Sequence, residues 1–194
     1  MRARTFLAAT LLLGACGGTS VPTLDTGLPR ETPANEVTPS EAQAACQRYE
    51  DVANEALGTD VQQRVACTVT GIVSQYSGGA SCAQASATCL ASAPTNVTAV
   101  DFNCETAVTF APSGCTATIG ELEDCVNAVA AGIDHFTTSL NCGLVGHPDK
   151  WAAVIEDATT VAVPTTYEAC QGLSAECLGL LGWADTTLPP VTGP

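Results

Sequence analysis

Cysteine spacing constrains this chain more than any other feature. Eleven cysteines occur in 194 residues. Cys16 stands alone near the amino end. The other ten are Cys46, Cys67, Cys82, Cys89, Cys104, Cys115, Cys125, Cys142, Cys170 and Cys177. In an exported chain an even set of this kind reads as a disulfide framework of five bridges, whose connectivity the sequence leaves open. No two of the ten lie closer than seven positions, so none has the C-x-x-C spacing of a zinc site, and no metal is expected. Geometry narrows the pairings. Cys82 and Cys89, like Cys170 and Cys177, are seven apart, which on one helix is about 10 Å along the axis. Bridged Cα atoms are at most about 7 Å apart, so each pair must reach other elements. Cys67 and Cys89 lie almost symmetrically about Gly78-Gly79, and two antiparallel helices joined there would bring them level.

The amino end gives the compartment. Arg2 and Arg4 precede an apolar run from Phe6 to Leu13, followed by Leu13-Gly14-Ala15-Cys16. A charged start, an apolar stretch and small residues before a cut mark an export signal over residues 1–15. The run is too short to span a bilayer, which takes about 20 apolar residues. An ordinary signal fits poorly, because cleavage after Ala15 would put Leu13 where a small residue belongs. Leu13-Gly14-Ala15-Cys16 instead resembles the bacterial lipobox. That resemblance implies lipidation of Cys16, cleavage before it and anchoring in the cell envelope. Gly17, standing where an aspartate would imply inner-membrane retention, points to the outer membrane. Two or more acyl chains anchor stably where one is marginal.

Charge excludes two partner classes. None of the 20 acidic residues precedes Cys16, whereas two of the six basic ones do. From Cys16 onward the chain carries 20 acidic against 4 basic residues, a net of −16. Nucleic acid is bound through Lys and Arg, as are anionic membrane surfaces, so neither is expected as a partner of the folded part. The lipid alone would hold the membrane.

Between two tails the signals are helical, predicting an all-α, disulfide-rich bundle of about six helices over residues 38–184. Residues 16–37 are rich in Gly, Pro and Thr with no apolar period. They read as a disordered linker spanning roughly 25 Å. Residues 185–194 read as a disordered tail. Thr38-Pro39-Ser40-Glu41 is a capping box before Ala42, Cys46, Tyr49, Ala53 and Ala56 at helical spacing, with Gly58 as a stop. Thr59-Asp60-Val61-Gln62 is expected to open a second helix by the same device, with the stripe Val61, Val65, Val69, Ile72 and Tyr76. Ser81 opens a third, ending before Pro94. Residues 94–117 lack a helical period. Val97 to Phe110 alternates loosely, but the cysteines and Pro112-Ser113-Gly114 favour a pinned loop over a strand. Thr118-Ile119-Gly120-Glu121 opens the strongest helix, in which Ile119, Leu122, Val126, Val129, Ile133, Phe136 and Leu140 form one apolar face. Its other side carries Glu123, Asp124, Asn127, Asp134 and His135. A further helix follows Asp149, expected as N-cap, with Trp151, Val154, Ile155 and Ala158 on one side. A last one opens at Thr165-Thr166-Tyr167-Glu168 and carries Cys170, Leu173, Cys177 and Leu181. Aromatics are few and alanine fills many core positions, so the bridges are expected to supply much of the stability.

No catalytic constellation emerges. His135 falls opposite the apolar stripe with no carboxylate one turn back, and His147 precedes Pro148-Asp149. Both read as solvated surface. No serine sits in a strand–turn–helix elbow, and Gly172-Leu173-Ser174-Ala175-Glu176 lacks the final glycine of that motif. Glu121, Glu123 and Asp124 suit the dipole at a helix start and need no catalytic role there. No calcium loop, phosphate loop or dinucleotide motif occurs, so no cofactor is expected.

The segment Cys115-Thr116-Ala117-Thr118-Ile119-Gly120-Glu121-Leu122-Glu123-Asp124-Cys125 resembles one found in cysteine-rich lipoproteins of myxobacteria. The late Cys170/Cys177 pair is similar too. The resemblance covers about the carboxyl half; it implies compartment and architecture and brings no activity with it. The sequence therefore points to a non-enzymatic envelope module for a protein or small-molecule ligand. A structural or shielding surface lipoprotein is the second reading and a small hydrolase the third. An apolar cavity between helices would favour a ligand, and a solid core with an apolar surface patch a protein partner.

Overall fold

In the computed structural model the described residues are 23–93, 102, 104, 114–161 and 163–183. The expected export signal, Cys16, most of the 94–113 stretch and the tail from Asp185 lie outside them. Six α-helices follow in chain order: α1 (Pro39–Leu57), α2 (Thr59–Tyr76), α3 (Cys82–Ser92), α4 (Ile119–Ser139), α5 (Pro148–Val161) and α6 (Ala175–Leu180). Single 3-10 turns at Cys142–Leu144, Pro164–Thr166 and Glu168–Cys170 join the later ones. Among the described residues the one β-type contact is an isolated bridge between Pro33 and Thr118. The fold is all-α, as the periodicity predicts.

Local chemistry sets most helix starts. Two of the predicted capping boxes form: Glu41 and Glu121 accept from the backbone N–H groups of Thr38 and Thr118. Ser81 caps α3 through the Gln84 N–H. Thr59 is a different case. It lies inside α2, and Gly58 serves at once as the C-cap of α1 and the N-cap of α2. With no intervening loop, the side-chain cap is replaced by the Gly58 carbonyl, which accepts from Val61 and Gln62. A Cβ on residue 58 would run into the Asn54 carbonyl oxygen. Gly58→Ala should therefore force the α1–α2 corner open and destabilise the domain by about 1–3 kcal/mol. Chemical denaturation of the purified variant measures it, and an unchanged midpoint would contradict the tight corner.

The last two predicted helices need correction. Asp149 is not an N-cap, because α5 already begins at Pro148 and the His147 carbonyl accepts from Trp151. Of its expected face only Val154 is buried, and Ile155 is exposed. The helix expected from Thr165 breaks into the two 3-10 turns and the short α6, whose cap is Ser174, bonded to the Cys177 N–H. Cys170 and Cys177 each turn inward to a different bridge, and one continuous helix could not satisfy both.

Five disulfides use all ten cysteines: Cys46–Cys104, Cys67–Cys89, Cys82–Cys142, Cys115–Cys177 and Cys125–Cys170. As the helical spacing requires, neither seven-residue pair bonds to itself. Cys67–Cys89 levels α2 with α3 across the Gly78-Gly79 turn. These two helices approach so closely at Gly71 that a Cβ there would meet the Cys82 carbonyl at 2.5 Å.

The largest correction concerns residues 23–37, which belong to the fold rather than to a disordered linker. Leu24 and Ala34 are buried. The segment lies as a strap across the start and polar side of α4. Its carbonyls at Thr32 and Arg30 accept from the Ile119 and Gly120 N–H groups, two donors that a helix start leaves unpaired. Asn127 pairs with both backbone groups of Leu24. No apolar period announces such a strap, because it is held by separate hydrogen bonds and by just a few buried side chains.

Packing divides into two apolar clusters. The larger joins the strap, α1, the first four turns of α4 and the carboxyl-terminal turns through Tyr49, Val126 and Cys125–Cys170. The smaller gathers Ile72, Cys82, Leu140, Leu144 and Val154 from α2, α3, the far end of α4 and α5. The predicted α4 stripe is buried from Ile119 to Ile133, and Leu140 with it, so that helix runs through both clusters.

Candidate functional site

Between the clusters lies a cavity of about 450 Å³, within the usual range of small-molecule sites. One wall is α1, with Tyr49, Val52, Ala53 and Ala56. The opposite wall is α4 from Val126 to Thr137, a run of about 16 Å at the helical rise. Val61, Val65 and Ala66 of α2 form a third side. Phe102, Leu181 and Trp183 complete the rim. The α2 stripe predicted from sequence is thus only partly used for packing. Ile72 is buried, whereas Val65 is half-buried and faces the cleft.

The corner at Gly58 explains why this space exists. With α1 and α2 joined by one residue, their facing surfaces diverge from that point, and small side chains such as Ala53, Ala56 and Ala66 do not fill the gap. Tyr49 anchors the α1 wall. It donates to the Leu181 carbonyl at 2.9 Å and packs against Phe102 with ring centroids 4.9 Å apart. Burial pushes its phenol up to about 12, so it stays a neutral donor throughout the physiological range. Cys46–Cys104 holds the chain beside Phe102 to α1.

A second arrangement, on the far side of α4, is polar. Glu123 is 3% exposed, although its place in the first turns suggested a solvated carboxylate. One of its oxygens accepts from the Thr26 N–H and hydroxyl, both at 2.8 Å, and the other takes Arg30 at 2.9 Å. Arg30 also reaches Asp124 at 2.7 Å. Asp124 and Glu123 hold the guanidinium's pKa above its ordinary value. Every group in this cluster is engaged in fastening the strap, which gives it a structural role.

The ten cysteines singled out from sequence are all bridged, which leaves none of them as a thiol. His135 and His147 are both exposed, on α4 and just before α5. Among the described residues no group of three or more His, Cys, Asp or Glu side chains is placed to hold a metal ion. Among them, too, no helix is long and apolar enough to cross a membrane. The cleft was not predicted. Its one signal is the excess of small and apolar residues on α1 and α2 beyond what the close α2–α3 contact consumes. No protein-family model matches the chain, and no curated protein or solved structure is significantly similar to it.

Proposed function

We propose that this protein is a non-catalytic lipoprotein of the bacterial cell envelope, most of all of the outer membrane, anchored through Cys16 and binding a small apolar ligand in the cleft between α1, α2 and α4. The cleft carries the reading. It is large enough for a small molecule, its walls are almost wholly apolar, and among the described residues that line it there is no pair of titratable side chains for acid–base or nucleophilic work. The anchor rests on Leu13-Gly14-Ala15-Cys16. The shielding and hydrolase readings have no comparable observation behind them.

The strap refines the anchor geometry. Cys16 and Thr23 are seven positions apart, a reach of at most about 25 Å, so the domain sits close to the surface that holds the lipid. Cys16→Ala should move the protein from the membrane pellet to the soluble fraction after a high-salt wash. Retention in the pellet would refute the anchor. Mass spectrometry of organic extracts from the purified protein tests the ligand, and lipophiles at stoichiometric amounts are expected.

A further inference from the structure

We infer that the ligand of this cleft is an uncharged, single-chain lipophile, such as a long alcohol or ester, and not an ionised fatty acid or other anionic lipid. The inference rests on the ligand-binding reading above and narrows it to a chemical class.

The argument starts from what an anion would need. A carboxylate or phosphate entering an apolar cleft loses its hydration, and unless a cation or several donors replace it the cost is several kcal/mol. Among the described residues no basic side chain lines this cleft. Of the four cations that follow Cys16, Arg30 is committed to Glu123 and Asp124, and Arg48 donates to the Asp25 carbonyl. Arg64 and Lys150 are also absent from the walls.

The polar side chains on the walls are few and already engaged. The Tyr49 hydroxyl donates to the Leu181 carbonyl, the Gln62 amide to Leu57 at 2.7 Å, and the Thr137 hydroxyl to Asp134 at 3.0 Å. Trp183 adds an indole N–H, an uncharged donor suited to a hydroxyl, ether or ester oxygen. The field of the whole molecule acts in the same direction. A net charge of −16 beyond the signal repels an approaching anion. Shape adds the single chain: the α4 wall runs about 16 Å, and 450 Å³ is small for a two-chain lipid.

The test uses two dyes with the same aromatic frame, neutral N-phenyl-naphthylamine and its anionic analogue anilinonaphthalene sulfonate. They are titrated fluorimetrically into the full mature chain carrying Cys16→Ala, which needs no detergent. The neutral dye should bind and be displaced by tetradecanol, with the sulfonate and tetradecanoate each weaker by at least about tenfold. Ala66 lies exposed on the α2 wall, so Ala66→Lys adds a cation at the site without disturbing the core. It should raise the sulfonate's affinity relative to that of the neutral dye by about fivefold or more. A sulfonate or tetradecanoate that binds the parent as tightly as its neutral counterpart, with displacement intact, overturns the inference and leaves the binding cleft standing. If neither dye binds, the ligand-binding reading itself fails. A dimer on size exclusion that takes up neutral dye only when diluted would put a second copy in the cleft and overturn both.

Discussion

Val126→Asp should leave the protein largely unfolded under conditions where its parent is stable. Val126 sits mid-stripe on α4, 3% exposed, against the α1 wall of the larger cluster. The cation that reaches the start of that helix is Arg30 of the strap, and it is already occupied by Glu123 and Asp124. A carboxylate at residue 126 would therefore be buried without a partner, at a cost of several kcal/mol, or would be held protonated. Domains of this size are stable by about 5–15 kcal/mol in total. Thermal melts followed by circular dichroism decide it, with His135→Ala as control. That side chain is exposed on the same helix, so its removal should cost less than about 0.5 kcal/mol. A Val126→Asp protein that melts with its parent would mean the buried face is misassigned.

Replacing both Cys125 and Cys170 by alanine should lower stability by about 4 kcal/mol, the chain-entropy value for a closed loop of this length. The bridge spans 45 residues and joins α4 to the 3-10 turn at Glu168–Cys170. Both sulfurs are fully buried in the larger cluster, so packing is lost as well. Urea unfolding at constant slope measures the change as a shift in midpoint. A shift under about 1 kcal/mol would show that apolar packing, not this bridge, holds the carboxyl-terminal turns in place.

Features whose physics is local were readable from the sequence. Thr38-x-x-Glu41 and Thr118-x-x-Glu121 are self-contained capping devices, and the α4 stripe announces its own burial by period. The symmetry of Cys67 and Cys89 about Gly78-Gly79 anticipates a bridge because two antiparallel helices leave little freedom. What escaped depends on partners far along the chain. The strap is held by Glu123 and Asn127, about a hundred residues away, and its own composition resembles that of a linker. Glu123 itself looks solvated until the strap covers it. The helix expected from Thr165 is over-ruled by two bridges, whose other ends, Cys125 and Cys115, lie well upstream. The cleft is the hardest case. It is made by surfaces that fail to meet, and Val61 and Val65 look the same in a sequence whether they face a neighbour or a space.

α4 takes part in both apolar clusters, and this bears on how the molecule comes apart. Two clusters on separate helices could open independently, each with its own midpoint. Here Val126 of the larger cluster and Phe136, packed against the smaller, sit on one continuous helix, ten residues apart. Fraying that begins at either end removes support from the other, and the backbone hydrogen bonds of α4 transmit the loss. Amide protons along the middle of α4 are therefore released only in the global event, whereas those of α5, with Val154 its one buried residue, exchange through smaller openings. A molecule with two cores behaves in this respect as a single cooperative unit.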